Sequence, residues 1–282
     1  MFEEVISGIM PLDEAAMAKC QVRLDNLTKP LGSLHSFEHL ARKMAGINRT
    51  PRPRILSSGI VLMNGSYRTN GMLDVFAAHV SAELIVFDVG TENARNKAQV
   101  SHFVEKGIKI ARTKTETGLR VIGVGMVGEV DSSVVSAVCY WYSKGGNDPV
   151  DVLVSTGSPE LAGMVGVILG ATAGGAAVVL DDVATYMAAL IAVRLAPQVK
   201  DYLVGSHCAA KPFHVEAMQL LNLQAYLSLD LNVGEGVGAA LGISLLQASL
   251  HVLNDMKTFG EAEVPVAEDG PGSLVQNQAI RD

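Results

Sequence analysis

The sequence predicts an α/β protein with a mostly parallel, doubly wound (Rossmann-like) sheet, and two observations lead to this fold class. Short apolar runs without polar alternation occupy residues 55–63, 84–89, 120–127, 150–155 and 176–180, as expected of strands buried on both faces. Helical spacing of apolar residues alternates with these runs and follows the last of them over residues 184–195. Such alternation is typical of a parallel sheet covered by helices on both sides.

Two more helices are predicted near the start of the chain. Residues 12–24 carry Asp13 and Glu14 in the first turn, where carboxylates suit the positive end of the helix dipole. Pro30 interrupts the pattern, and a second helix is expected over residues 36–46.

The two ends of the chain are expected to form one domain. An apolar helical stretch covers residues 239–253. We therefore expect a small helical domain from residues 1–48 and 240–282, beside a large α/β domain from residues 54–239. The tail after residue 266, which is rich in glycine and proline, is expected to be loosely ordered.

The most apolar window, residues 161–180, is interpreted as a buried helix that runs into a strand. It contains five glycines, and Asp181 and Asp182 follow it at once, which does not suit a membrane span. The first residues also lack the positive start and apolar run of a signal peptide. The expected location is the cytoplasm, with no membrane partner.

Composition excludes several classes of protein. The net charge is −7 and the basic residues are scattered, so nucleic acid is not expected as a partner, since phosphate neutralisation drives that binding. The three cysteines share no metal-like spacing, and an odd number does not suit a disulfide framework. We expect neither a metal nor a cofactor.

Ligands of parallel sheets bind at the carboxyl ends of the strands, and the chain places polar or glycine-rich segments there. These segments are Asn64-Gly65, Asp88-Val89-Gly90, residues 125–133, Thr156-Gly157-Ser158 and Asp181-Asp182. Ser132 or Ser133 is expected to cap the next helix, where backbone amides suit a phosphate, although an ordinary capped helix fits as well. Asp181 suits a ribose hydroxyl, a metal or a solvated acid pair. His207 suits a structural or substrate-contact role better than metal binding.

The sequence Gly234-Glu235-Gly236-Val237-Gly238-Ala239 is the strongest candidate for chemistry. Glycines on both sides of a carboxylate let the backbone approach a ligand closely while one acid points at it. The apolar helix that follows adds the positive end of its dipole. The alternative is a tight turn at the start of a helix with an exposed glutamate.

These segments together resemble the nicotinate-nucleotide:dimethylbenzimidazole phosphoribosyltransferases. The N-terminal signature of that family is similar to Leu27-Thr28-Lys29-Pro30-Leu31-Gly32-Ser33-Leu34, and its C-terminal signatures are similar to residues 234–240 and 256–259. Weaker similarity covers residues 87–90, 157–161 and 180–181, so the resemblance extends over nearly the whole chain.

The resemblance implies a reaction in which a base displaces nicotinate from nicotinate mononucleotide and becomes an α-ribosyl phosphate, the lower-ligand precursor of a cobamide. It implies Glu235 as the catalytic base, a homodimer and no metal. The substrate-binding residues it suggests are Gly234, Gly236, Ser132, Ser133, Gly157, Glu160, Asp181 and His207.

Several positions depart from the family pattern. Met63-Asn64-Gly65 stands where the family carries Asp-His-Gly, and Met126 stands at the acid of its Gly-Glu-Met-Gly segment. A stretch that supplies a lysine is missing after residue 143, and Lys211 stands where a glutamate is usual.

These departures resemble the phenol and p-cresol variant of the family, which works as two unequal homologous subunits. We expect this chain to be the degenerate, supporting subunit of such a pair. The alternatives are a self-sufficient transferase with relaxed base choice, and a ligand-binding relative that kept only the fold.

Overall fold

The computed structural model describes residues 2–54, 56–64, 71–90, 93–146 and 148–264. The chain divides into two compact units, Met1–Pro11 with Ser57–Ile243 and Leu12–Leu56 with Ser244–Asp282. The first eleven residues therefore group with the larger unit, whereas the sequence placed them in the helical domain. The reason is local packing, since Val5 and Ile9 are buried and the hydroxyl of Tyr202 donates to the carbonyl of Met10 at 2.7 Å.

The larger unit is built on five parallel strands, which confirms the predicted fold class. They are β1 (Ser58–Asn64), β2 (Glu83–Asp88), β3 (Val121–Met126), β4 (Ala177–Leu180) and β5 (Leu203–Val204). Their order across the sheet is β2-β1-β3-β4-β5. Four of the predicted runs are strands, although Ile55 and Gly65 lie outside the described residues.

Helices cover the sheet and form the second unit. They are α1 (Phe2–Ser7), α2 (Glu14–Asn26), α3 (His35–Asn48), α4 (Met72–His79), α5 (Lys97–Glu116), α6 (Ser132–Lys144), α7 (Pro149–Thr156), α8 (Pro159–Ala173), α9 (Val183–Leu195), α10 (His214–Leu221) and α11 (Val237–Asp255). Helices α2 and α3 confirm the two helices predicted near the start of the chain.

The prediction of a strand over residues 150–155 is wrong, because this segment is helix α7. The carboxylate of Asp148 accepts the N–H of Val150 at 2.7 Å, and Pro149 begins the helix with its φ already fixed. Gly157 ends it in the left-handed conformation with φ 66°. These local signals outweigh the β-branched composition of the run.

The prediction for residues 161–180 is confirmed, because buried helix α8 leads into β4. Glycines let α8 pack directly against α5. A Cβ atom on Gly166 would lie 2.1 Å from the carbonyl oxygen of Val104, and one on Gly107 would lie 2.2 Å from that of Gly163. Only glycine allows helix backbones to approach this closely.

The smaller unit contains a buried ion pair. The ammonium of Lys29 lies 2.8 Å from a carboxylate oxygen of Glu38, and that oxygen also accepts the N–H of Leu34 at the start of α3. The pair fixes the bend between α2 and α3. The tail after residue 266, expected to be loosely ordered, lies outside the described residues.

Helix α11 is the one described helix that is long and apolar enough, by length and composition alone, to cross a membrane. Of its most apolar window, 56% is buried inside the protein. Buried core helices pass the same test, so the segment is weak support for a membrane span.

Candidate active site

Glu235 lies in a short loop between residue 233 and helix α11, against the carboxyl end of β3. Its N–H donates to the carbonyl of Met126 at 3.3 Å. A Cβ atom on Gly125 would lie 2.4 Å from the nitrogen of Gly236, so the loop requires glycine at this position of β3. Glu235 and Gly236 both have positive φ, 62° and 88°. A non-glycine residue in this conformation carries strain of about 1–3 kcal/mol, and such strain clusters at functional sites.

The side chain of Glu235 is half-buried. Within the part of the chain that the structure describes, its carboxylate takes part in no hydrogen bond or ion pair. A carboxylate that is held at a strand end and not engaged by neighbouring groups is suited to accept a proton from a ligand.

Asp181 is committed to the backbone of this loop. Its carboxylate is fully buried at the end of β4 and accepts the N–H groups of Gly236 at 2.7 Å and Gly238 at 2.8 Å. Burial, and to a smaller extent the neighbouring Asp182, raise the pKa of this carboxyl to about 8 against the lowering effect of the backbone hydrogen bonds. The expected role of Asp181 in contacting substrate would need access to a carboxylate that is fully buried here.

Asp182 forms a buried ion pair beside the loop. A Cβ atom on Gly234 would lie 2.5 Å from an oxygen of Asp182, which explains the first glycine of the motif. That oxygen also lies 3.1 Å from the ammonium of Lys211, which lies 3.4 Å from Glu129. Burial opposes the charge on Lys211, but Asp182 and Glu129 outweigh it and raise the pKa of the ammonium.

A cavity of about 690 Å³ adjoins this ion pair. Its lining includes Glu129, Asp131, Ser132, Lys211 and Asn232. Because Asp182 already neutralises Lys211, the carboxylates of Glu129 and Asp131 leave the cavity with excess negative charge.

The N-cap of α6 is Asp131, which corrects the assignment of that role to Ser132 or Ser133. One oxygen of Asp131 accepts both the N–H of Ser133 at 2.8 Å and its hydroxyl at 2.5 Å. These hydrogen bonds lower the pKa of Asp131. A carboxylate therefore occupies the start of the helix, where the sequence suggested that backbone amides hold a phosphate.

His207 is fully buried under the first turn of α11, where a Cβ atom on Gly238 would lie 2.1 Å from its ring. The hydroxyl of Ser206 donates to the carbonyl of Leu180 at 2.8 Å, so it accepts from Nδ1 of His207 at 3.0 Å. Burial lowers the pKa of His207. Its position indicates a packing role rather than direct contact with a ligand.

Gly157 and Glu160 lie at the junction of α7 and α8. Gly157 ends α7, and Glu160 accepts the hydroxyl of Ser158, the N-cap of α8, at 2.9 Å. No hydrogen bond or ion pair between described residues joins them to Glu235. No group of three or more histidine, cysteine or acidic residues in the described ranges is arranged to hold a metal.

A family model described as DBI_PRT, phosphoribosyltransferase, matches residues 9–71 and 132–264 of this chain. The chain belongs to this phosphoribosyltransferase family. The match includes the loop of Glu235 and the first turn of α6.

Curated relatives support the assignment. The nicotinate-nucleotide–dimethylbenzimidazole phosphoribosyltransferase of Roseiflexus sp. (strain RS-1) is 30% identical over 345 positions, which cover 94% of this chain and 98% of the relative. The protein of that name from Photorhabdus laumondii is also 30% identical, with 92% of this chain and 97% of the relative covered. The crystal structure of CobT from Thermus thermophilus matches with a TM-score of 0.82 at 22% identity, over 90% of this chain and all of that one. This last likeness supports the fold.

Sequence reasoning missed three features of this candidate site. It did not connect Lys211 with Asp182, Asp181 with the loop amides, or Asp131 with the cap of α6. The first two are contacts across 29 and 55 residues, which no local pattern reveals. The third had a local signal, since Asp is as good an N-cap as Ser.

Proposed function

We propose that this chain is a subunit of a nicotinate mononucleotide:base phosphoribosyltransferase that makes the α-ribosyl phosphate precursor of a cobamide lower ligand. The acceptor is an aromatic base, such as a benzimidazole, or a phenol. The family and the names of its relatives support the reaction. The observation that carries the proposal is Glu235, which is held in a strained loop at the strand ends with an unengaged carboxylate among the described residues.

Where this chain itself carries out the reaction, Glu235 removes the proton from the N–H or O–H of the acceptor. The acceptor atom bonds to C1′ of the ribose while the bond from C1′ to the nicotinate nitrogen breaks, and the electron pair of that bond returns to the nitrogen. The loop keeps the carboxylate of Glu235 at one position, which preserves the geometry that proton transfer needs.

We further propose that this chain supports an intact homologous subunit instead of turning over alone. Anion binding needs positioned donors and positive charge, and their loss costs several kcal/mol of transition-state stabilisation. Here Glu129 and Asp131 line the cavity, and Lys211 is paired with Asp182. Met126 adds an apolar side chain at the end of β3.

The alternative is a self-sufficient transferase with relaxed base choice. The intact loop of Glu235 favours it, because a chain without chemistry gains nothing from a strained carboxylate at the strand ends. The third hypothesis is a relative that binds a ligand without catalysis. It predicts no turnover, whether the chain is alone or mixed with a homologous subunit.

Nicotinate release from nicotinate mononucleotide tests these readings, with a benzimidazole or a phenol as acceptor. The purified chain is assayed alone and mixed with an intact homologous subunit. We expect turnover only in the mixture. Robust turnover by the lone chain overturns the supporting role. No turnover in either sample overturns the proposed phosphoribosyltransferase activity.

Glu235→Gln separates the roles further. In the mixture, a supporting subunit is expected to tolerate this change within about twofold, whereas removal of a working base lowers kcat about 100-fold or more. The exposed Glu116→Gln is the matched control for loss of one carboxylate.

A further inference from the structure

The geometry points to Asp181 as a positioning residue, whose buried carboxylate holds the backbone of Glu235 and Gly236 in the left-handed conformation. This rests on the proposed function only where it concerns catalysis. The structural part applies whatever reaction the chain takes part in.

Both carboxylate oxygens of Asp181 are used by the loop. Oδ2 accepts the N–H of Gly236 at 2.7 Å, and Oδ1 accepts the N–H of Gly238 at 2.8 Å. A Cβ atom on Gly238 would lie 2.6 Å from Oδ1, so glycine is needed for this contact. Asp181 therefore occupies the start of α11, where the sequence placed a positive end available to a ligand.

Among the described residues, the carbonyl of Gly236 accepts the N–H of Ala240 at 3.0 Å, and the other backbone hydrogen bonds of the loop are long. The N–H of Glu235 donates to Met126 over a long 3.3 Å, and that of Val237 to Gly234 over 3.4 Å. Successive backbone N–H groups next to left-handed residues form a concave site for an anion. Above its pKa of about 8, the ionised carboxylate of Asp181 is that anion, and it ties the end of β4 to the loop that presents Glu235.

Thr185 provides a matched control in the same place. Its hydroxyl accepts the N–H of Asp181 at 2.9 Å and donates to the carbonyl of Asp182 at 2.7 Å. Thr185→Val removes a buried hydrogen bond beside Asp181 and keeps both contacts from the carboxylate to the loop.

Amide hydrogen exchange tests the proposal on the full chain, with no need for turnover. Asn at position 181 has one acceptor oxygen and one N–H₂ group, so it can accept from only one side. Above pH 8, where Asp181 is ionised, we expect exchange at Gly236 and Gly238 in Asp181→Asn to accelerate about tenfold or more relative to the wild type, as loss of hydrogen bonds to a charged group implies. In Thr185→Val the exchange at both glycines stays within about twofold of the wild type.

A titration of the wild type keeps the proposal testable if Asp181→Asn does not fold. The amide signals of Gly236 and Gly238 are expected to shift together with pH as Asp181 titrates, near pH 8 and far above an ordinary carboxyl. The other ionisable groups around it are Asp182, Tyr186, His207 and Lys211. Rapid exchange at both amides in the wild type, or unchanged exchange in Asp181→Asn, overturns the proposal.

The values of kcat and KM distinguish a positioning role of Asp181 from a general role in stability. They are measured in whichever assembly turns over. If Glu235 of this chain is the working base, Asp181→Asn lowers kcat with little change in KM, and Thr185→Val changes neither. Equal loss of kcat in both variants overturns the positioning role. If the assembly never turns over, the proposed function fails while the exchange result stands.

Discussion

The ion pair of Lys211 and Asp182 shows how one residue can change the chemistry of a site. The side chains are 10% and 2% exposed, so Asp182 cannot turn to water if Lys211 is lost. The lysine thus compensates the buried acid at the carboxyl end of β4, and it is not available as a free positive charge.

Lys211→Met is expected to lower the free energy of unfolding by about 3 kcal/mol, because it leaves Asp182 buried without its partner. Urea denaturation at pH 7 measures the change. Lys144→Met removes an exposed lysine at the end of α6 and is expected to cost less than about 0.5 kcal/mol. Similar losses in the two variants would show that the pair does not stabilise the fold.

His214 makes the larger unit sensitive to acid. Its Nδ1 accepts the N–H of Ala209 at 2.9 Å, and the ring is fully buried beside Tyr186 and His207. Its pKa is lowered from 6.5 to about 4, chiefly by burial and in addition by His207 and Lys211. The folded state therefore favours the neutral ring.

Because the unfolded chain binds this proton below pH 6.5 and the folded chain does not, stability is complete above pH 6.5 and is lost as the pH falls towards 4. The loss from this one residue is about 3 kcal/mol. His214→Gln is expected to make the decline in unfolding free energy between pH 6.5 and 4 shallower, measured by urea denaturation at several pH values. The exposed His251→Gln is the control, and an equal slope in all three proteins would refute the assignment.

At the scale of elements, the contact between α5 and α8 depends on glycine. Gly166→Ala is expected to cost on the order of 3 kcal/mol, because its Cβ meets the carbonyl oxygen of Val104 at 2.1 Å and helix backbones cannot yield locally. Thermal unfolding by circular dichroism measures the loss. Gly260→Ala has open space around its Cβ and is expected to stay within about 0.5 kcal/mol of the wild type. A tolerated Gly166→Ala would mean that the helices move apart at little cost.

The elements differ in how far their sequences predict them. Strands β1 to β4 are predictable because each is an apolar run bounded by turn residues. The strand predicted over residues 150–155 is helix α7 instead, since its β-branched run is too short for periodicity to separate helix from strand, and only the cap at Asp148 and Pro149 decides. Strand β5 has two residues, and its pairing with β4 comes from tertiary packing rather than from a local pattern.

At the scale of the whole molecule, the candidate site is predictable in part. Glycine spacing and the family resemblance singled out Glu235, and both features are local. The charge of the cavity beside the Lys211–Asp182 pair is not local, because the cavity joins Glu129 and Asp131 from one loop to Lys211 from another. The relative from Roseiflexus aligns over 345 positions, more than the 282 residues of this chain, so it carries segments that this chain lacks. The expected loss of a lysine-bearing stretch is consistent with that difference.

The carboxylates that line the cavity are expected to weaken the binding of nucleotide to this chain. The double variant Glu129→Gln with Asp131→Asn removes two cavity carboxylates, of which Glu129 shares Lys211 with Asp182, and asparagine still caps α6. We expect it to bind nicotinate mononucleotide about tenfold more tightly than the wild type in low salt, since a phosphate no longer meets two carboxylates in the cavity. Isothermal titration calorimetry of the lone chain measures the affinity, and the gain should shrink as salt screens the charges.

Glu3→Gln with Glu116→Gln changes the net charge equally, at exposed sites on α1 and α5 outside this cavity. If both double variants gain equally, net charge and not the cavity controls binding, and if neither gains, the acids do not face the phosphate.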